Sequence, residues 1–423
     1  METLEKEIKT NRVQRFKMKW LLILAVIGPG IVAGTADNDA GGITTYSVAG
    51  AGFGYKMLWI LFLITFILAI TQEMGARLGL VTGKGLAALI RENFSLKTTT
   101  FVVLITFIAN WTNILAEYAG ISSIADIYGF PRYIAIPAAA VLIWYVVYKG
   151  SFKFVQKIFL TSSLLFFAYI IAGVMVHPQW TQVFYGTFVP QVEWTSNFFY
   201  TAVALIGTTI TAWGQFFVQS YYVDKGIAAE HLKLSRWDVF AGAFWTDFVA
   251  FFIIIATGAT LYRAGINIQD AGQAAVALEP FAGAFAKHLF AWGLLNASML
   301  GLAVISMTSA YVVTEAFGWE GRVDLKQESP AFYKIFGFCI FSTALAIMIP
   351  GLPLIPILVG SQMLNTFVLP VLFVAILVLL NKQNLMGKFK NSLFVNIISW
   401  LSVLFVVGMA GTLLVMTFFS LVH

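Results

Sequence analysis

The chain has 423 residues, 59% of them hydrophobic and 11% charged, with a formal net charge of +6. Several apolar runs of 18 or more residues are each long enough to cross about 30 Å of hydrocarbon, and no polar stretch is long enough to make a soluble domain. Composition therefore excludes a soluble enzyme and defines an all-α polytopic membrane protein, whose basic surplus reflects topology and needs no nucleic acid to explain it.

Hydropathy places eleven spans, at about 20–53 (interrupted), 57–76, 101–127, 132–149, 154–177, 198–223 (interrupted), 237–262, 283–316, 333–350, 353–381 and 393–421. Residues 1–19 form a charged, basic tail without a signal-peptide pattern, so the first apolar run is expected to be retained as a helix. Of the 26 Lys and Arg residues, all but Lys56, Arg132, Arg263 and Lys287 fall on one side if the N-terminus is inside. The 177–197 loop has no Lys or Arg at all. That asymmetry predicts a multi-pass cell-membrane protein with a cytoplasmic N-terminus and, after an odd number of spans, an extracytoplasmic His423. A single cysteine, Cys339, excludes an internal disulfide.

Spans 1 and 6 each carry a polar break in mid-run, "GTADNDAGG" in the first and "IGTTITAWGQ" in the sixth. Five spans separate them, so equivalent elements would enter the bilayer in opposite directions. Interrupted helices at matching positions of two halves point to an inverted-repeat transporter with its site at the breaks. The expected halves are 20–177 (spans 1–5) and 198–381 (spans 6–10), with span 11 at 393–421 outside the repeat.

An Asp at the bilayer centre costs about 2.5–3.5 kcal/mol on insertion scales and persists where it faces a water-filled cavity or holds an ion. Asp37, Asn38 and Asp39 stand in such a place, between Gly28-Pro29-Gly30 and Ala40-Gly41-Gly42, where the backbone can unwind. Unwound carbonyls beside a carboxylate make a hard oxygen site suited to a cation. The competing reading is an ordinary polar loop between two short helices. In span 6, Thr208, Thr209 and Thr211 offer hydroxyls and Ala212-Trp213-Gly214 can break the helix, although Thr in membrane helices often only bonds the preceding turn. Glu117 and Asp247 are acidic residues inside apolar runs, read as parts of an ion path or a buried pair. Gln362 and Asn365 lie one turn apart in span 10, able to complete an ion's shell or merely to join two helices. An intramembrane enzyme finds no support, since there is no HExxH, no GxSxG and no Ser/His pairing.

"GPGIVAGTADNDAGGITTYSVAGAGFGYKMLW" resembles the first span of the Nramp family of divalent-metal transporters, and "AEYAG", "IGTTITAWGQFFVQS" and "SQMLNTFVLP" follow in the family's order across nearly the whole chain. The resemblance implies a LeuT-like 5+5 inverted repeat plus an eleventh helix, with helices 1 and 6 broken at mid-membrane and metal bound between the breaks. It implies Asp39, Gly42, Thr208, Thr211, Ala212, Gln362 and Asn365 as metal residues, with Asp37, Asn38, Glu117, Trp213 and Asp247 along the ion pathway. Where the family has Asp-Pro-Gly-Asn, Ala40 replaces the Pro and Gly42 the Asn. Where it has Met-Pro-His-Asn, this chain reads Thr211-Ala212-Trp213-Gly214, and the family's next histidine falls at Val218. An oxygen-only site without the thioether suits magnesium, calcium or manganese. This pattern looks like the Nramp-related magnesium-transporter branch. The expectation is a monomer that needs no cofactor and carries Mg²⁺, and also Mn²⁺, by alternating access without proton coupling. The alternatives are a proton-coupled Mn²⁺/Fe²⁺ importer or a LeuT-fold carrier of a small organic substrate.

Overall fold

The computed structural model describes residues 28–422 apart from 267, 269, 270 and 325, and every regular element among them is a helix. The expected 1–19 tail, the start of span 1 and His423 lie outside the described residues. In chain order the helices are α1 (Pro29–Ala36), α2 (Ala40–Phe53), α3 (Leu58–Thr82), α4 (Leu86–Asn93), α5 (Leu96–Ile127) and α6 (Arg132–Lys149). Next come α7 (Phe152–Ser162), α8 (Phe167–Met175), α9 (Trp180–Phe188), α10 (Ser196–Thr209), α11 (Ala212–Asp224) and α12 (Leu232–Thr257). The chain ends with α13 (Ala271–Phe317), α14 (Pro330–Ile347), α15 (Leu354–Asn381), α16 (Gln383–Met386) and α17 (Leu393–Val422).

The two interrupted spans are resolved as the pairs α1/α2 and α10/α11, each joined by two or three non-helical residues. Helices α3, α5, α12, α13 and α15 surround the pairs, with α12 against α1, α2 and α3, α13 against α5, and α15 against α10 and α5. The last helix, α17, packs on α10 and α15 at the edge of the bundle. Its Leu393, Phe394, Leu404 and Phe418 are exposed, as residues facing lipid tails would be.

Helix α1 is fixed to α12 by backbone proximity and by one carboxylate. Gly30 and Gly34 meet Gly242, and a Cβ on Gly30 would stand 2.6 Å from the Val239 Cα, closer than any real contact. Asp238 accepts the orphan N–H groups at the start of α1, from Gly28 at 3.0 Å, Gly30 at 2.7 Å and Ile31 at 3.3 Å. Tyr222 of α11 donates to the same carboxylate at 2.7 Å. A helix start leaves such N–H groups without intrahelical partners, and an acidic side chain there also complements the helix dipole.

Several boundaries differ from the hydropathy reading. The third span begins at Leu96 rather than 101, because Ser95 caps it and accepts from Thr98 N at 3.2 Å. The second runs to Thr82, six residues past its expected end, since Gln72, Glu73 and Arg77 stay buried against neighbours. The fifth is interrupted by a 3₁₀ turn at Ser163–Phe166, and the 177–197 loop contains α9, which packs on α3. The eighth starts at Ala271, twelve residues before the expected 283.

Candidate metal site at the two helix breaks

The first break comprises Asp37, Asn38 and Asp39, all wholly buried. Asp39 has extended backbone and caps α2, its Oδ1 accepting from Gly42 N at 2.6 Å, while its Oδ2 has no hydrogen-bond partner. Asn38 donates through Nδ2 to the Thr246 carbonyl of α12 at 3.0 Å. Asp37 is satisfied on both oxygens, by Thr211 Oγ1 at 2.8 Å and by Gln72 Nε2 of α3 at 2.9 Å.

The second break lies at Ile210 and Thr211, where α10 ends and Thr211 caps α11 by accepting from Gly214 N at 3.0 Å. The hydroxyl that caps α11 is the one that reaches Asp37, so the two breaks are in direct contact. Thr209 Oγ1 stands 3.2 Å from the Tyr46 hydroxyl of α2. Thr208 Oγ1 is buried without a partner. A Cβ on Gly42 would lie 2.9 Å from that oxygen and 3.2 Å from Asp39 Oδ1, so the glycine keeps open the space between them.

Glu117 of α5 closes this space from a third side, with Oε2 accepting from Ala40 N at 3.2 Å and Oε1 buried without a partner. From α15, Gln362 Nε2 points to Asp39 Oδ1 at 3.4 Å. Asn365 donates to Gln362 Oε1 at 3.0 Å, and Asn113 of α5 donates to Asn365 Oδ1 at 3.0 Å. This amide chain turns the Gln362 NH₂ toward Asp39, so in this arrangement Gln362 and Asn365 support a carboxylate and present no oxygen to an ion.

The expected residues thus separate into two groups. Asp39, Gly42, Thr208 and Glu117 surround one space, joined by Thr211 through Asp37 and by Gln362 and Asn365 through Asp39. Asn38 faces α12, and Asp247, on α12, lines a cavity beside α3 and α9. Ala212 and Trp213 open α11, fully buried, and the indole N–H has no partner. Among the described residues no three His, Cys, Asp or Glu side chains converge as ready-made metal ligands. The donor set is instead carboxylate plus hydroxyl oxygen, with the N-termini of α2 and α11 at the breaks and no sulfur in 36–42 or 208–214. Gln72, Asn113 and Tyr46 were not singled out from the sequence; the available signal for the first two was an amide within an apolar helix.

Two helices broken at matching positions five spans apart, with their breaks joined inside a bundle of long apolar helices, define a multi-pass membrane protein of the LeuT-like fold. The chain belongs to the Nramp family, described as natural resistance-associated macrophage protein-like, which matches over residues 30–416. It is 26% identical over 407 residues to the divalent metal cation transporter MntH of Klebsiella pneumoniae, covering 93% of this chain and 94% of that one. It is 24% identical over 404 residues to the MntH of Caldanaerobacter subterraneus, covering 93% of each. The solved Eremococcus coleocola manganese transporter shares the fold at a TM-score of 0.74 and 20% identity, over 92% of this chain and 86% of that one. The amino-acid-bound MhsT shares it at 0.60 and 13%, over 90% and 98%. The family relatives are transporters, not enzymes.

Proposed function

We propose that the chain carries divalent metal cations across the cell membrane by alternating access, favouring the hard, hydrated ions Mg²⁺ and Mn²⁺. The reading is carried by three buried oxygens without partners, Asp39 Oδ2, Glu117 Oε1 and Thr208 Oγ1, bordering the space kept open by Gly42. A buried carboxylate oxygen without a partner is costly in a dry interior, and a cation removes that cost. Asp39 is the main charged ligand in this reading. Magnesium is usually held through one or two carboxylates with several waters kept. Asp39 and Glu117 supply the carboxylates, and Gly42 leaves room for the waters. The names of the MntH relatives support a divalent cation as cargo.

In the same reading the ion moves down its own electrochemical gradient, driven by about 2.3 kcal/mol per elementary charge per 100 mV, through a monomer with a cytoplasmic N-terminus. Trp213 stands where the family carries a histidine, and an indole N–H donates but takes up no proton. One contact favours a second reading. Glu117 Oε2 accepts from the N–H of Ala40, the residue after Asp39, so the two carboxylates border one space, and two carboxylates so placed share either a proton or a cation. If metal and proton exchange there during transport, the two fluxes are linked. Proteoliposomes holding a pH dye separate the readings. Mg²⁺ or Mn²⁺ entry under a membrane potential without a lumenal pH change supports uncoupled transport, and metal-dependent pH change supports the linked form.

A further inference from the structure

Asp247 sits at the middle of α12, 4% exposed, and neither of its carboxylate oxygens has a hydrogen-bond partner. Its neighbour Thr65 donates its hydroxyl to the Leu61 carbonyl at 2.8 Å. Asp247 lines a cavity of about 240 Å³ walled by Phe62 and Phe66 of α3, Phe188 of α9, and Phe244 and Phe248 of α12. The rings interlock edge to face. Phe62 lies 5.2 Å from Phe66 and 5.3 Å from Phe188, and Phe66 lies 5.7 Å from Phe244, centroid to centroid. All five rings are exposed on the surface of the bundle, so the cavity is entered from the lipid side.

The chemistry of the walls selects the occupant. A hydrocarbon tail would leave the carboxylate facing apolar atoms, an arrangement membrane proteins avoid. A small metal ion would find one carboxylate and the hydroxyls of Thr65 and Thr187, each already donated to a backbone carbonyl, among otherwise apolar side chains, too little oxygen to replace its water shell. An organic cation answers both features, pairing its charge with Asp247 and burying its body among rings that attract cations through their faces. We propose that this cavity binds an organic ammonium with a compact aromatic or alkyl body, at a position separate from the metal site between the breaks.

The test uses the full-length chain in detergent and phenylpropyl-trimethylammonium as the probe, titrated by calorimetry. Saturable one-to-one binding is expected, unaffected by saturating Mg²⁺. In Asp247→Asn, affinity should fall by about tenfold, and in Phe244→Leu by about threefold, the surface ring being removable without emptying the core. The uncharged analogue with a tert-butyl group in place of the trimethylammonium should bind wild type no better than the probe binds Asp247→Asn. Equal affinity for the charged and uncharged compounds would overturn the proposal, as would no saturable binding to the folded wild type. Unchanged affinity in both variants would overturn it too, and displacement of the probe by Mg²⁺ would overturn the separation of the two sites.

Discussion

The Thr211 hydroxyl donates to Asp37 Oδ1 at 2.8 Å while accepting from Gly214 N at 3.0 Å, so one side chain both caps α11 and ties the two helix breaks together. Asp37, two residues before the proposed ligand, is therefore a structural tie whose oxygens are already engaged. Asp39 keeps one buried oxygen without a hydrogen-bond partner.

Thr211→Val removes the donor and the cap while keeping the shape. An unpartnered buried oxygen costs about 1–3 kcal/mol and a lost cap about 1 kcal/mol more. The variant should unfold at a lower temperature in detergent and transport at least about tenfold more slowly, while Thr211→Ser should stay close to wild type. A valine variant with wild-type thermal stability would mean that the Asp37 contact holds nothing together.

Asp238 is the equivalent tie at the start of α1. Asp238→Ala leaves the Gly28, Gly30 and Ile31 N–H groups without their acceptor and should destabilise by about 3 kcal/mol, against about 1 kcal/mol for Tyr222→Phe, which deletes one donor. Hydrogen exchange followed by mass spectrometry should show faster exchange confined mainly to residues 28–36. Uniform acceleration over the whole chain would point to a global defect instead.

In the proposed reading, selectivity rests on what Gly42 and Thr211 leave out. Asparagine at 42 would enter the space bounded by Thr208 Oγ1 and Asp39 Oδ1, and methionine at 211 would add a thioether. Gly42→Asn with Thr211→Met should shift uptake from Mg²⁺ toward softer ions such as Cd²⁺, at a reduced rate because the Thr211 tie to Asp37 is lost. Competition uptake with both ions measures the shift. A double variant with the wild-type Mg²⁺ to Cd²⁺ ratio would remove these two positions from selectivity.

A pH effect follows from Lys225, which lies just past α11 beside the start of α1. Burial pushes its ammonium down from 10.5 to about 8, with Asp238 opposing part of the fall. Between those values the unfolded chain binds more protons than the folded one, so folded stability rises with pH from about 8 toward 10.5. Lys225→Met removes the cost of burying the charge. The variant should melt above wild type at pH 7, and the gap should close by about pH 10. A gap that stays constant would show that Lys225 is not buried as charged.

The broken helices were legible because carboxylates, glycines and threonines interrupt apolar runs at matching places, and few other features put such residues at mid-membrane. Asp39, Thr208 and Glu117 followed from the same signal. The different hydrogen bonding of Asp37 and Asp39 was not legible, because it depends on Gln72 and Thr211 reaching one carboxylate from two other helices. The amide orientation at Gln362 is hidden for the same reason, being set by Asn113 and Asn365 on separate helices. Helix ends were misplaced where hydropathy continued poorly but burial did not, as at Gln72–Arg77, and where a cap such as Ser95 sits outside the apolar run.

The most direct test of the account is ion uptake into proteoliposomes by wild type and Asp39→Ala, across Mg²⁺, Mn²⁺, Ca²⁺ and Cd²⁺ under an imposed inside-negative potential. Wild type should take up Mg²⁺ and Mn²⁺ in mutual competition. Asp39→Ala, folded by its thermal unfolding curve, should carry neither above empty liposomes. Wild-type uptake by the alanine variant, or a wild type that ignores excess Mg²⁺ while carrying Cd²⁺ well, would contradict a hard-cation site built on Asp39.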